Sequence, residues 1–182
     1  LITHHWGGNY MKGFDIYTKI DEMLNSKLWS DIIEFTYLGN IPKKINLKNI
    51  KVMPPTTPKK IAEILKDHHV YVTGSINEPA GMHHIEGALC GLPLLYFSSG
   101  AIPEYCNGFG VEFNRDNFIN KLEHMFENYD QYYNRMKYYK GNAKKMFENY
   151  LNLFESLYLN SKKPNLLWGR KKPKKPNKPV IL

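Results

Sequence analysis

Cysteine is scarce: Cys90 and Cys106 are the only two in 182 residues. That excludes a disulfide framework, leaves a single Cys90–Cys106 bridge open, and fits the reducing cytoplasm. No apolar run approaches the roughly 18–20 residues a membrane-spanning helix needs, and no secretory leader is visible. Charge of one sign is lacking from the body of the chain. Residues 162–182 hold eight of the 25 lysines and arginines and no acid, leaving residues 1–161 with 17 of each sign. The net charge of +8 therefore belongs to the tail, and a neutral body argues against a nucleic-acid-binding surface. Two phosphate-binding fingerprints are absent as well. There is no Gly-Lys-Ser or Gly-Lys-Thr, and no Gly-x-Gly-x-x-Gly.

What is present is an alternation of short apolar runs with helical periodicities. Strands are predicted at residues 1–3, 33–38, 50–53, 70–72, 94–97 and 108–113. Helices are predicted at residues 14–26, 57–67, 81–90 and from 118 onward. Thr57-Pro58 is a helix start with proline in the first turn, and Gly91 with Pro93 is a helix stop. Strands alternating with helices give an α/β fold, a Rossmann-like three-layer domain with a mainly parallel sheet and right-handed crossovers, over residues 1–160. Residues 161–182 form a basic tail with four prolines, expected to be extended and disordered. The start at Leu1, directly inside an apolar strand, reads as the cut edge of something longer.

The informative stretch is Asn77-Glu78-Pro79-Ala80-Gly81-Met82-His83-His84-Ile85-Glu86-Gly87-Ala88-Leu89-Cys90-Gly91-Leu92-Pro93. It joins two predicted strands through one short helix, so the helix start falls at the carboxyl end of a strand, where open parallel sheets bind ligands. Gly81 allows close approach of a ligand to the backbone. The first N–H groups of the helix, at Met82 and His83, suit a phosphate or diphosphate. Glu78 and Glu86 flank that position, and an ionised carboxylate accepts bonds from two neighbouring sugar hydroxyls. Near the start, Gly7, Gly8 and the Lys12-Gly13 pair lie between a strand and a helix, the layout of a phosphate cradle. His4-His5 reads as strand-end packing rather than a metal pair, because adjacent side chains on a strand point apart. Met82, Ile85 and Leu89 are expected to face a core.

Glu78, Glu86 eight positions on, and the exit Gly-Ala-Leu-Cys-Gly-Leu-Pro resemble the signature of retaining glycosyltransferases of the GT-B fold, with glycosyltransferase family 4 the nearest. The resemblance implies that the chain is the C-terminal, donor-binding half of that fold. It implies a transferase moving a sugar from a nucleotide-diphosphate sugar with retention, with no cofactor and no metal. It gives Glu78 the donor sugar, Glu86 the ribose and Lys12 the diphosphate, with the backbone of Val52 and Met53 beside the base. The arginine usual in the family a few residues before the lysine is missing, and His4, His5, Trp6 and Asn9 stand in its neighbourhood. Ser98 to Glu104 resembles the family's small-residue loop near the donor phosphates, and the aromatic helical pattern after residue 129 its C-terminal helices. The implied partners are a nucleotide sugar, a glycan, lipid or protein acceptor, and a missing N-terminal acceptor domain. Without that domain the chain is expected to be inactive in transfer. A non-catalytic nucleotide-binding module is the alternative. The basic tail suits contact with an anionic membrane surface, which places the protein in the cytoplasm or at the periphery of a membrane.

Overall fold

The structure, a computed structural model, describes residues 1–161. The basic tail, with its expected disorder and membrane contact, lies outside the described residues. The chain divides into two units, Leu1–Asn142 and Ala143–Leu182.

The first unit is a six-stranded sheet in the order β3-β2-β1-β4-β5-β6. The strands are β1 (Ile2–His5), β2 (Thr36–Gly39), β3 (Lys51–Met53), β4 (Tyr71–Thr73), β5 (Leu94–Phe97) and β6 (Gly110–Phe113). Every pairing is parallel. Between them run α1 (Phe14–Met23), α2 (Lys27–Ser30), α3 (Pro58–Lys66), α4 (His83–Leu89), α5 (Ile102–Cys106), α6 (Phe118–Glu127) and α7 (Tyr129–Met136).

The side-chain period of two on a strand divides the core into two layers. In β5, Leu94 and Tyr96 join one cluster with Ile64, Leu65, Ala88 and Ile102, under α3, α4 and α5. Leu95 and Phe97 join the other with Phe14, Tyr17, Ile20, Leu122 and Met125, under α1 and α6. Tyr71 and Val72 of β4 split the same way. Helices therefore cover both faces, as an all-parallel sheet requires. Asp21, buried on α1, accepts the backbone N–H groups of Lys48, Asn49 and Ile50 at 2.8–3.1 Å. This fixes the segment that leads into β3.

The sheet positions a site at its centre. β1 and β2 pair over four residues, but β1 and β4 share only the pair Ile2–Tyr71. Beyond that pair the two strands part, and their crossovers run to opposite sides, which makes their carboxyl ends the topological switch point. The Tyr71 hydroxyl bridges the gap, accepting from the His4 N–H at 3.1 Å and lying 3.2 Å from the His4 carbonyl.

Some elements differ from the expectation. The first helix stops at Met23, and a separate four-residue helix, α2, follows. A 3-10 turn, Tyr10–Lys12, fills part of the first loop, and α5 fills the small-residue loop after β5. The central helix starts at His83 rather than at 81. The second unit, as far as it is described, is one helix, α8 (Ala143–Ser161), with no buried residue. Met146, Phe147, Tyr150, Phe154 and Leu157 are all exposed on it. Among the described residues, no helix is long and apolar enough to cross a membrane.

Candidate nucleotide-sugar site

A cleft of about 1000 Å³ opens at the carboxyl ends of β1, β2 and β4. Two loops meet there. In the first, Gly13 has φ +85, and a Cβ on it would lie 2.4 Å from the Gly74 backbone. Only glycine lets the start of α1 press so closely on the end of β4. The Ile76 N–H then donates to the Met11 carbonyl at 2.7 Å, tying the loops together. Lys12 and Glu78, 66 residues apart, are thereby brought into a hydrogen-bonded ion pair of 2.6 Å, with side chains 22% and 14% exposed.

Glu78 is aimed by its neighbours. Asn77 sits at φ 51, the left-handed region that Asn tolerates better than most residues. Its N–H donates to Ser99 Oγ at 2.9 Å, and the Glu78 carbonyl accepts from the Ala101 N–H at 2.9 Å. A Cβ at Gly81 would lie 2.5 Å from Glu78 Cγ and 2.9 Å from His83 Cε1. Gly81 thus makes room for the Glu78 side chain, a reason additional to ligand approach.

Glu86, on α4, has its Oε2 2.6 Å from His4 Nε2. The hydrogen bond from His4 holds the Glu86 carboxyl below the usual carboxylate range, against the opposing effect of burial. Burial pushes the neighbouring imidazoles the other way. His5 and His83 fall well below the ordinary value, and His84 falls to about 4. These rings are neutral at neutral pH. His5 shares a 2.7 Å hydrogen bond with Tyr17 Oη, and His83 one of 2.9 Å with Thr73 Oγ1. Lys12 is the one lysine or arginine among the described residues lining the cleft. Two turns of helix make a weak dipole, so the positive potential for an anion rests chiefly on Lys12.

Of the residues singled out in the sequence, Gly7, Lys12, Glu78, Gly81, Met82, His83 and Glu86 line this one cleft. Gly8, Val52 and Met53 do not line it. Gly8 packs against the Asn40 backbone, and the loop after β3 reaches the cleft through Pro55, Thr56 and Thr57 instead. Met82 and Leu89, expected in a core, are 54% and 52% exposed, and of that expected face only Ile85 is buried. His5 is the packing residue expected at the strand end, but His4 is not only that. Both line the cleft, and His4 also binds Glu86. Trp6, which with His4 stands in the neighbourhood of the missing arginine, is 74% exposed at the same rim. Adjacency to a glycine-rich loop was the available signal for both. Among the described residues, no group of three or more His, Cys, Asp or Glu side chains is arranged to hold a metal ion.

The family model for glycosyl transferases group 1 matches residues 34–146. No curated protein sequence matches the chain. Several solved structures share the fold. The catalytic domain of starch synthase IV from Arabidopsis thaliana, bound to ADP and acarbose, matches with TM-score 0.64 and 15% identity, covering 88% of this chain and 37% of that one. The pneumococcal O-GlcNAc transferase GtfA, in complex with UDP and GlcNAc, gives TM-score 0.62 and 18% identity over 86% and 35%. A variant of TarM from S. aureus, in complex with fondaparinux, alpha-GlcNAc-glycerol and UDP, gives 0.63 and 20% over 84% and 35%. The chain thus spans little more than a third of the length of these structures. The architecture is Rossmann-like α/β, matching glycosyltransferases of the GT-B fold. With more than half of its length matched by the family model, the chain belongs to glycosyl transferases group 1.

Proposed function

We propose that this domain binds the donor of a glycosyltransferase, a nucleotide-diphosphate sugar, and that the intact enzyme transfers the sugar with retention, in the manner of glycosyltransferase family 4. One observation carries the reading: Lys12, from the loop after β1, converges with Glu78 and Glu86, from the loop and helix after β4, on one cleft at the switch point of the sheet. Lys12 faces the diphosphate, where negative charge grows as the glycosidic bond breaks. Glu78 receives hydroxyls of the donor sugar and supports positive character at its ring. Glu86 receives the ribose hydroxyls. The apolar wall of Leu38, Pro55 and Ile61 fits the flat face of a base. The matched structures are about three times as long, and acceptor binding is assigned to what they have beyond this domain. Contact of the basic tail with an anionic membrane surface belongs to the same proposal.

Calorimetric titration of the 182-residue chain with UDP, GDP and ADP tests it. At least one should bind, and Lys12→Met should weaken that nucleotide about 10-fold or more, the worth of a charged hydrogen bond. Failure of all three to bind, or binding indifferent to Lys12, would overturn the reading.

A further inference from the structure

We propose that His4 is a positioning residue for Glu86, setting the carboxylate to receive the vicinal hydroxyls of a ribose. The inference rests on the nucleotide-binding reading and adds to it a residue outside both glutamate positions. His4 is itself held from several sides. Its backbone N–H donates to the Tyr71 hydroxyl, and its Nδ1 lies 3.1 Å from the same oxygen. Its ring meets Tyr71 edge-on at 5.5 Å and His83 at 6.5 Å between centroids, and its side chain is only 7% exposed. Tyr71, fully buried, cannot move without disturbing the junction of β1 and β4. His4 Nε2 is therefore a fixed point at the cleft wall.

Glu86 is different. Its side chain is 48% exposed, and a free glutamate at that exposure populates several rotamers, whose loss opposes binding. The 2.6 Å contact to Nε2 removes that freedom in advance. It also divides the carboxylate. Oε2 is taken by His4, and Oε1 has no protein hydrogen bond among the described residues. Oε1 retains its acceptor capacity for the two hydroxyls. An ionised carboxylate only accepts, so the 2.6 Å contact places a proton on His4 Nε2, which donates it to Glu86. The buried Tyr71 hydroxyl, in contact with the N–H, the carbonyl and Nδ1 of His4, holds in place the ring that sets the carboxylate.

The test compares, in the 182-residue chain, the nucleoside diphosphate that binds among UDP, GDP and ADP with its 2′,3′-dideoxy form. The wild-type chain should prefer the hydroxylated ligand about 10- to 100-fold. His4→Ala should erase most of that preference and leave affinity for the dideoxy form within about twofold. His4→Gln should restore the preference, because its amide nitrogen stands the same number of bonds from Cβ as Nε2. His4→Asn, one bond shorter, should not, and the Gln–Asn pair decides the matter if the alanine variant fails to fold. Equal loss for both ligands in every variant would show a structural role only, and an unchanged preference would show none; either overturns the proposal. If the wild-type chain binds no nucleotide, the underlying reading falls and this inference with it. If nucleotide binds but the preference ignores His4, the inference falls alone.

Discussion

Three neutral imidazoles, His5, His83 and His84, pack against one another at the cleft wall, and their neutrality is a consequence of burial. Both ring nitrogens of His84 are buried without a hydrogen-bond partner among the described residues, and its pKa drops from 6.5 to about 4. As pH falls, the unfolded chain takes up this proton before the folded one. The contribution of His84 to stability is therefore fully present above about pH 6.5, declines between 6.5 and about 4, and is lost below that. At about 1.4 kcal/mol per unit of displacement, His84 accounts for about 3 kcal/mol. Urea unfolding at pH 7.5, 6 and 5 should show this decline, and His84→Gln should make it shallower. Equal slopes for the wild type and the variant would show that His84 does not carry the effect. Lys12 faces Glu78 at 2.6 Å. A diphosphate must compete with Glu78 for that lysine, which links the two halves of a donor at a single side chain.

At the scale of elements, α4 carries Glu86 and lies almost against the sheet. A Cβ on Gly87 would stand 2.5 Å from the Tyr71 ring. Gly87→Ala should therefore lift α4, costing about 1–3 kcal/mol of stability as overpacking does. It should also weaken nucleotide binding by separating Glu86 from His4. Thermal unfolding together with calorimetry checks both parts; lost stability with unchanged affinity would uncouple the helix from the site. The four inner strands β1, β2, β4 and β5 were legible because their runs had to be buried on both faces, whereas the edge strand β3 is largely exposed. The start of α3 was legible too, since Thr57 accepts the Lys60 N–H ahead of Pro58. The elements that escaped had no periodicity to read. α2 has four residues, the Tyr10–Lys12 turn three, and α5 opens with Ile102-Pro103 after a run of small residues. The contact between His4 and Glu86 spans 82 positions and joins two residue types with many other uses. Only the parting of β1 from β4 brings it about, and no local pattern encodes that.

At the scale of the whole molecule, the order β3-β2-β1-β4-β5-β6 decides where chemistry can occur. It places the ends of β1 and β4 side by side with no ladder between them. The sequence showed strands and helices in alternation, which required a parallel sheet but left the strand order to the resemblance. The spacing of Glu78 and Glu86 was legible, and so was the placing of Lys12 in a loop between a strand and a helix. The bond between Lys12 and Glu78 was not, and it alters what their substitution should do. With Glu78 free, Glu78→Gln would leave a bare nucleoside diphosphate unaffected. With Glu78 bound to Lys12, the substitution releases the lysine. The most direct measurement is calorimetric affinity for a nucleoside diphosphate and for its sugar-bearing form, in the wild type, Glu78→Gln and Glu86→Gln. Glu86→Gln should weaken both ligands about 10- to 100-fold, as loss of a charged hydrogen bond to a shared ribose requires. Glu78→Gln should hold or tighten the bare diphosphate, by up to about 5-fold for a partly exposed ion pair, and should remove the advantage of the sugar-bearing form. Equal loss of bare-diphosphate affinity in both variants, or no change in either, would contradict the assignment of this cleft to a nucleotide sugar.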